Sequence, residues 1–275
     1  MWKKSIQNLH VHTRFCDGQD TPEELVRHAL ALGMDGIGFS AHSSTEPFSP
    51  EGCLSLQREP AYKAEINRLK DIYGDRLRIF LGLEYEMYSS CDPTGYDYMI
   101  GACHFLRIGD AIVSYDEGSP ESMRRVIDTY YGGDGVKMAE QYYEDFTKIT
   151  DYQKIDIIGH FDAIRLYCDR YHVFDDTCSR YKTAAIESLR TLVKKVPVFE
   201  LNTSILASHP AGMPFPAPFL LKELKSQGGH VVITTDCHTK KYMLLEYERA
   251  VGILRSCGFN EFHIKTDKGF EGVKI

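Results

Sequence analysis

The 275-residue sequence contains no run of about 18 apolar residues, and Met1-Trp2-Lys3-Lys4 leads into a strand pattern with no apolar segment between. Those absences argue against a membrane span and against export, so the expected location is the cytoplasm. No Cys-x-x-Cys pair occurs among the eight cysteines at 16, 53, 91, 103, 168, 178, 237 and 257, which excludes a zinc finger and gives no sign of a disulfide framework. Positive charge is in deficit: 32 Lys and Arg stand against 39 Asp and Glu, a net −7. That balance excludes a protein that grips nucleic-acid phosphates by replacing their counterions, and a small-molecule partner fits better. Also missing are the G-x-S-x-G and P-loop patterns of a serine nucleophile or a nucleotide-phosphate cradle. With no low-complexity linker and no internal repeat, residues 1–275 read as one domain, and 43% hydrophobic content suffices for its core.

What the sequence does have is histidine at the ends of strands. In Leu9-His10-Val11-His12 the alternation of a strand sends both imidazoles to one side, about 7 Å apart at the backbone, where one ion could take both. Asp17 lies in the Gly-bearing turn that follows and can fold a carboxylate back to them. Mixed imidazole and carboxylate ligation suits Zn, Mn or Fe.

Further along, Thr21-Pro22-Glu23-Glu24 supplies an N-cap, a first-turn proline and first-turn acids, and the spacing of Leu25, Val26, Ala29 and Leu30 predicts a helix closed by Gly33. A strand over 34–40 delivers His42, a helix covers 59–73, and a strand over 77–83 ends in Glu84. The apolar run 96–103 ends in His104 and the run 155–159 in His160. Helices are expected over 136–149, 180–195, 216–227 and 240–256, with strands over 196–201 and 230–235 and a short one near 262–265; the strand at 230–235 ends in Asp236 and His238. Residues 109–135 carry no strong period, and Tyr130 to Gly135 read as a loop near the site. Seven or eight strands alternating with helices predict an α/β fold, a parallel sheet closed into a TIM-like barrel, in which the C-terminal strand ends share one face. Six histidines and three carboxylates gathered there exceed the four to six ligands that one ion can use, so two or three metals are expected.

These residues stand in HVHTRFCDGQDTPEELV, IGFSAHS, GLEYE, IGACHFL, DIIGHFDAIR, ELNTS and TTDCH. In that order, over nearly the whole chain, they resemble the PHP (polymerase and histidinol phosphatase) superfamily, and within it the histidinol-phosphate phosphatases. The resemblance implies a distorted (β/α)7 barrel with a trinuclear metal site on its C-terminal face. It assigns His10, His12, Glu84 and Asp236 to a first ion; Glu84, bridging, with His104 and His160 to a second; and Asp17, His42 and His238 to a third. Catalysis would then rest on Glu84, Asp17, His42, Asp236 and His238, and the implied reaction is hydrolysis of a phosphomonoester by a water that the cations activate, placing the chain in histidine biosynthesis. For the substrate phosphate, Arg165 is the foremost cationic candidate because guanidinium binds phosphate in a fork, with Arg14, Ser204 and His209 beside it. His28 and His263 are read as surface or packing residues. The family pattern usually continues past Asn-Thr-Ser with Gly and an Arg-containing stretch; this chain has Ile205-Leu206-Ala207-Ser208-His209-Pro210, and Ala41 replaces the Asp usual before His42. Three readings stay open: histidinol phosphate as substrate, another small phosphate ester or nucleotide, or a metal-binding module without catalysis. No oligomeric state follows from the sequence.

Overall fold

The computed structural model describes residues 5–46, 48, 51–209 and 212–275; Met1 to Lys4 and Pro210, part of the readings above, lie outside them. In chain order the elements are β1 (Gln7–Asn8), α1 (Pro22–Ala31), β2 (Gly36–His42), α2 (Glu59–Tyr73), β3 (Arg78–Glu86), β4 (Tyr98–Ala102), β5 (Phe105–Ile108), β6 (Ala111–Ser114), α3 (Pro120–Tyr131), α4 (Gly135–Phe146), α5 (Ile149–Tyr152), β7 (Ile157–Ile158), α6 (Cys168–Tyr171), α7 (Ser179–Leu192), β8 (Val198–Asn202), α8 (Pro218–Ser226), β9 (His230–Thr234), α9 (Tyr247–Ser256), β10 (Glu261–Thr266) and β11 (Gly269–Lys274). Seven strands form one parallel sheet in the order β1-β2-β3-β4-β7-β8-β9. Its two edges meet at a parallel bridge between Val11 and Cys237, where the His12 N–H donates to the Cys237 carbonyl at 3.0 Å and the Cys237 N–H to the His10 carbonyl at 3.2 Å. The result is the expected distorted (β/α)7 barrel.

Local chemistry explains the elements and their departures from expectation. Thr21 and Glu24 cap α1 reciprocally, and its apolar residues Leu25, Val26 and Ala29 are buried against the barrel. The first strand is shorter than its apolar run, because the Asn8 side-chain oxygen accepts from the N–H groups of His10 (3.1 Å) and Thr235 (3.3 Å). A side chain thus takes ladder positions and frees the backbone of 9–12 to curve. Residues 109–135 are ordered structure that the periodicity does not betray: the rest of a β5–β6 hairpin, then α3, which starts at an N-cap on Ser119 and stops at Gly132 in the left-handed region. Tyr130 to Gly135 join α3 to α4, with Tyr131 buried and its hydroxyl bonded to Gln141 of α4, so this segment is a helix connection and not a loop of the site. The last strand expected from sequence has a partner, β11, and their hairpin covers the N-terminal mouth of the barrel: Gln7 exchanges two hydrogen bonds with the Lys265 backbone, and Phe270 packs on the barrel interior.

Inside the barrel lie Leu9, Phe80, Tyr98, Ile100, Ile157, Val198 and Val232, a plug distinct from the large layer between strands and helices. Tyr98 crosses this interior and donates its hydroxyl to the Leu9 and Phe39 carbonyls. Gly38 and Gly82 make room for it, since a Cβ at either would overlap the Tyr98 side chain. Gly82→Ala should therefore cost about 1–3 kcal/mol by overpacking, read as a lower urea midpoint at unchanged m-value. An unshifted midpoint would mean that the ring has room to move.

Candidate metal centre

Above the apolar plug the interior turns polar, and all nine residues picked out as ligands arrive there from the C-terminal ends of six strands and the turn carrying Asp17. His10, His12, Glu84 and His160 form a buried floor, while Asp17 and His238, each with 37% of the side chain exposed, stand at the open edge beside His104 and His42. Ring contacts tie them together: His12 stacks on His238 at 4.1 Å between centroids and lies 4.3 Å from His42, and His104 lies 4.9 Å from His160.

Glu84 is central. One carboxylate oxygen, Oε2, faces His42 Nδ1 at 2.7 Å, His10 Nε2 at 3.3 Å and His12 Nε2 at 3.5 Å; the other, Oε1, faces His160 Nε2 at 2.8 Å and His104 Nε2 at 3.6 Å. A carboxylate presented to two sets of imidazoles has the disposition of a bridge. Asp236 Oδ1 lies 3.0 Å from His12 Nε2 and 3.5 Å from His10 Nε2, and Asp17 Oδ2 lies 3.1 Å from His238 Nε2 and 3.5 Å from His42 Nε2. Four groupings of potential ligand atoms follow: His12, Asp17, His42 and His238; His10, His160 and Asp236; His10, His12 and Glu84; and His42, Glu84 and His104. His42 thus stands between two of the expected ion positions, where the sequence comparison put it at one.

The donor set fits divalent cations on structural grounds. His10 Nε2, His12 Nε2, Glu84 Oε2 and Asp236 Oδ1 are buried and have no hydrogen-bond partner among the described residues. Four such orphans would each cost about 1–3 kcal/mol if nothing met them. Four of the six separations among them, 3.0, 3.3, 3.5 and 3.5 Å, suit atoms that share a cation about 2.1 Å away; His10, His12 and Glu84 form one grouping, and Asp236 joins His10 and His160 in another. The electrostatics agree. Burial, together with the charge of His238 and His42, pushes His12 down to about 4, leaving the neutral ring that a metal needs. Burial also works against charged His10 and His42, yet Asp236, Glu200 and Glu84 around the first, and Glu84 and Asp17 around the second, outweigh it and raise both. Glu84 and Asp236 are held far below the carboxylate range despite burial, chiefly by His42 and His10 in the first case and by His10 and His12 in the second. A cation entering this field would displace imidazole protons.

Outer contacts fix which nitrogen points inward. His104 Nδ1 is 2.9 Å from Glu86 Oε2, whose same oxygen accepts the His104 backbone N–H at 2.8 Å; His10 Nδ1 is 2.8 Å from Glu200 Oε2; His238 Nδ1 is 3.1 Å from the Asp236 carbonyl. Each leaves Nε2 toward the centre. Glu86 and Glu200 are the residues that sequence reasoning missed, although Glu200 is a charge among the apolar residues of β8, a signal of an internal partner, and Glu86 ends β3 two residues after Glu84.

The expected phosphate contacts are placed less uniformly. Arg165 is 1% exposed. Its Nε donates to Asp162 at 2.7 Å, Nη1 to Asp169 at 3.4 Å, and Nη2 to the Met213 and Pro214 carbonyls at 3.1 and 2.5 Å, and the guanidinium lies over the Phe215 ring. No edge of it is open to a ligand, so the fork expected to receive phosphate instead fastens the segment after β8. Arg14 is exposed near Asp17, its Nε bonded to the Gln19 carbonyl at 2.7 Å. Ser204 opens a 3-10 turn to Ala207, its N–H donating to Asn202 Oδ1, and the half-buried His209 follows. His263 stacks on His230 at 4.1 Å, remote from the cluster in the β10–β11 hairpin.

Comparison with known proteins places this geometry. The chain is 26% identical to the histidinol-phosphatase of Lactococcus lactis subsp. lactis over 97% of its own length and 98% of that protein's. A crystal structure of histidinol phosphate phosphatase from Lactococcus lactis, complexed with zinc, L-histidinol and phosphate, shares its fold at a TM-score of 0.68 and 23% identity, covering 98% of this chain and 99% of the other. The Listeria monocytogenes protein hisK superposes at a TM-score of 0.75 with 20% identity over 89% and 99% of the two chains. The model of the PHP domain matches residues 8–204, a span that holds seven of the nine clustered residues and most of the barrel, and the chain belongs to the PHP domain family.

Proposed function

We propose that this protein is a metal-dependent phosphomonoester hydrolase that converts L-histidinol phosphate and water to L-histidinol and inorganic phosphate. The observation that carries the metal-dependent reading is the set of four buried ligand atoms with no hydrogen-bond partner among the described residues, one of them on a carboxylate that faces imidazoles from both oxygens. The substrate is supported by the names of the relatives and by the zinc, histidinol and phosphate bound to the Lactococcus protein.

Three divalent ions, Zn, Mn or Fe, are the count that nine ligands suggest. His10, His12, Glu84 and Asp236 would hold one, Glu84 with His104 and His160 a second, and Asp17, His42 and His238 a third. When bound, such ions make water more acidic and offset charge developing on phosphate oxygens. The chain itself contributes placement. Glu84 and the buried imidazoles set the floor, and the apolar plug below it keeps solvent from entering through the barrel. Asp17, His42, His104 and His238 line the open edge, where a substrate phosphate would arrive from solvent, and Arg14, Ser204 and His209 are the proposed phosphate contacts. Hydrolysis forms one bond from water oxygen to phosphorus and breaks the bond from phosphorus to the alcohol oxygen, which leaves with a proton.

Residues 1–275 are taken as one unit, since the large hydrophobic layer includes residues from Val11 to Ile264 without a break between segments. The described residues contain no helix long and apolar enough to cross a membrane and no disulfide, which supports a reducing, cytoplasmic setting. A second reading, another phosphate ester or nucleotide, is favoured by the segment from Ile205 to His209, which has no arginine where the family usually supplies one. Metal-loaded protein assayed on histidinol phosphate beside nucleotides and sugar phosphates should give its highest kcat/KM on the first. Better turnover of a different ester would select the second reading, and hydrolysis of none by protein that holds its metals would overturn both.

A further inference from the structure

Glu200 lies in the middle of β8, fully buried, in a strand whose neighbours Phe199 and Leu201 are core residues. It touches four groups, and all four can donate. Oε2 is 2.8 Å from His10 Nδ1 and 2.9 Å from the Thr234 hydroxyl; Oε1 is 2.6 Å from the backbone N–H of His160 and 2.9 Å from the Asn202 side-chain nitrogen. Only a group that accepts on both oxygens satisfies this surrounding, which is a carboxylate. Glu200 is absent from every grouping of potential metal ligands, so its carboxylate serves the cluster from outside.

We propose that Glu200 is a positioning residue that sets the tautomer of His10 and anchors the turn into His160, and so couples two ligands from different strands to one acid. The inference rests on the reading of the cluster as a metal centre. A proton kept on Nδ1 by Glu200 leaves the Nε2 lone pair of His10 facing Glu84 Oε2 and Asp236 Oδ1, at 3.3 and 3.5 Å, where an ion would be gripped.

Glutamine at this position separates the tautomer from mere bulk, because the two side chains share size and shape. The amide NH2 cannot face the His160 backbone N–H, since that donor cannot reverse. It must turn to Thr234, whose hydroxyl rotates, and to His10 Nδ1, which can accept only if its proton moves to Nε2. The ring would then offer N–H where a lone pair is required. Glu200→Asp, shorter but accepting on both oxygens, keeps the tautomer.

The test uses zinc as the probe and the full chain. In zinc-loaded wild type, 15N spectra of histidine-labelled protein should show His10 protonated at Nδ1 and coordinated through Nε2. Chelator competition should show one class of zinc held about 10–100-fold more weakly in Glu200→Gln, with Glu200→Asp closer to wild type and circular dichroism unchanged in both. Unaltered zinc affinity in folded Glu200→Gln would overturn the proposal, as would a wild-type His10 protonated at Nε2, a result that needs no variant. Wild-type protein that takes up no zinc would remove the metal reading beneath it, an outcome distinct from either.

Discussion

Replacing Glu84 by alanine should reduce phosphate release by about a thousandfold or more and strip the protein of bound metal in the same step. The expectation follows from where its oxygens lie. Oε2 serves His10, His12 and His42 and Oε1 serves His160 and His104, so Glu84 faces more imidazoles than either other carboxylate of the nine. Removing it leaves five imidazoles facing a gap with Asp17 and Asp236 as the only carboxylates of the set, too few to hold several divalent ions together. Elemental analysis of the purified variant and phosphate release measured on the same sample would check both halves. A truncated site that still turned over at the ordinary rate after exhaustive chelation would refute metal-dependent hydrolysis at this cluster. Loss of turnover with full metal content would instead confine Glu84 to the chemistry and leave ion binding to the imidazoles.

Arg165→Ala should cost about 3–5 kcal/mol of stability, because it strands the buried Asp162 carboxylate. Asp162 is 0% exposed, and Arg165 is its ionic partner; with the arginine gone, the Ala217 N–H at 2.9 Å is the donor left to it. The segment after β8 would also lose two fastenings, at the Met213 and Pro214 carbonyls. Equilibrium denaturation of metal-free protein isolates this structural effect from any role toward substrate. A variant with wild-type stability and a KM raised many-fold would return Arg165 to the phosphate-binding role that the sequence suggests.

The gathering of the nine side chains was legible in the sequence because histidine is uncommon at the end of an apolar strand, and six such histidines with three acids in a βα alternation point to a shared pocket. Their convergence needed only the rule that parallel strands in a barrel end on one face. Glu200 and Glu86 were harder to see. Their work is to accept hydrogen bonds from residues 190 and 18 positions away, and nothing local marks them except, for Glu200, its intrusion into an apolar run. Arg165 misled for a related reason: a loop arginine after a ligand reads as a phosphate clamp until the carbonyls of 213 and 214, remote in sequence, are seen to occupy it. The hairpin and helix of 105–131 escaped because each of β5 and β6 has four residues, too few to show a period, and only residues 115–119 separate them from α3.

The bridge between Val11 and Cys237 closes the barrel with two backbone hydrogen bonds, and ligands flank it on both strands: His10 and His12 on one, Asp236 and His238 on the other. An ion shared by His12 and Asp236 would stitch residues more than 200 positions apart along the thinnest seam of the sheet. Closing so large a loop is an entropic penalty that binding would help to offset, so free energy of ion capture would enter the free energy of folding directly. In this architecture the proposed metal centre and the buckle of the barrel are the same few atoms.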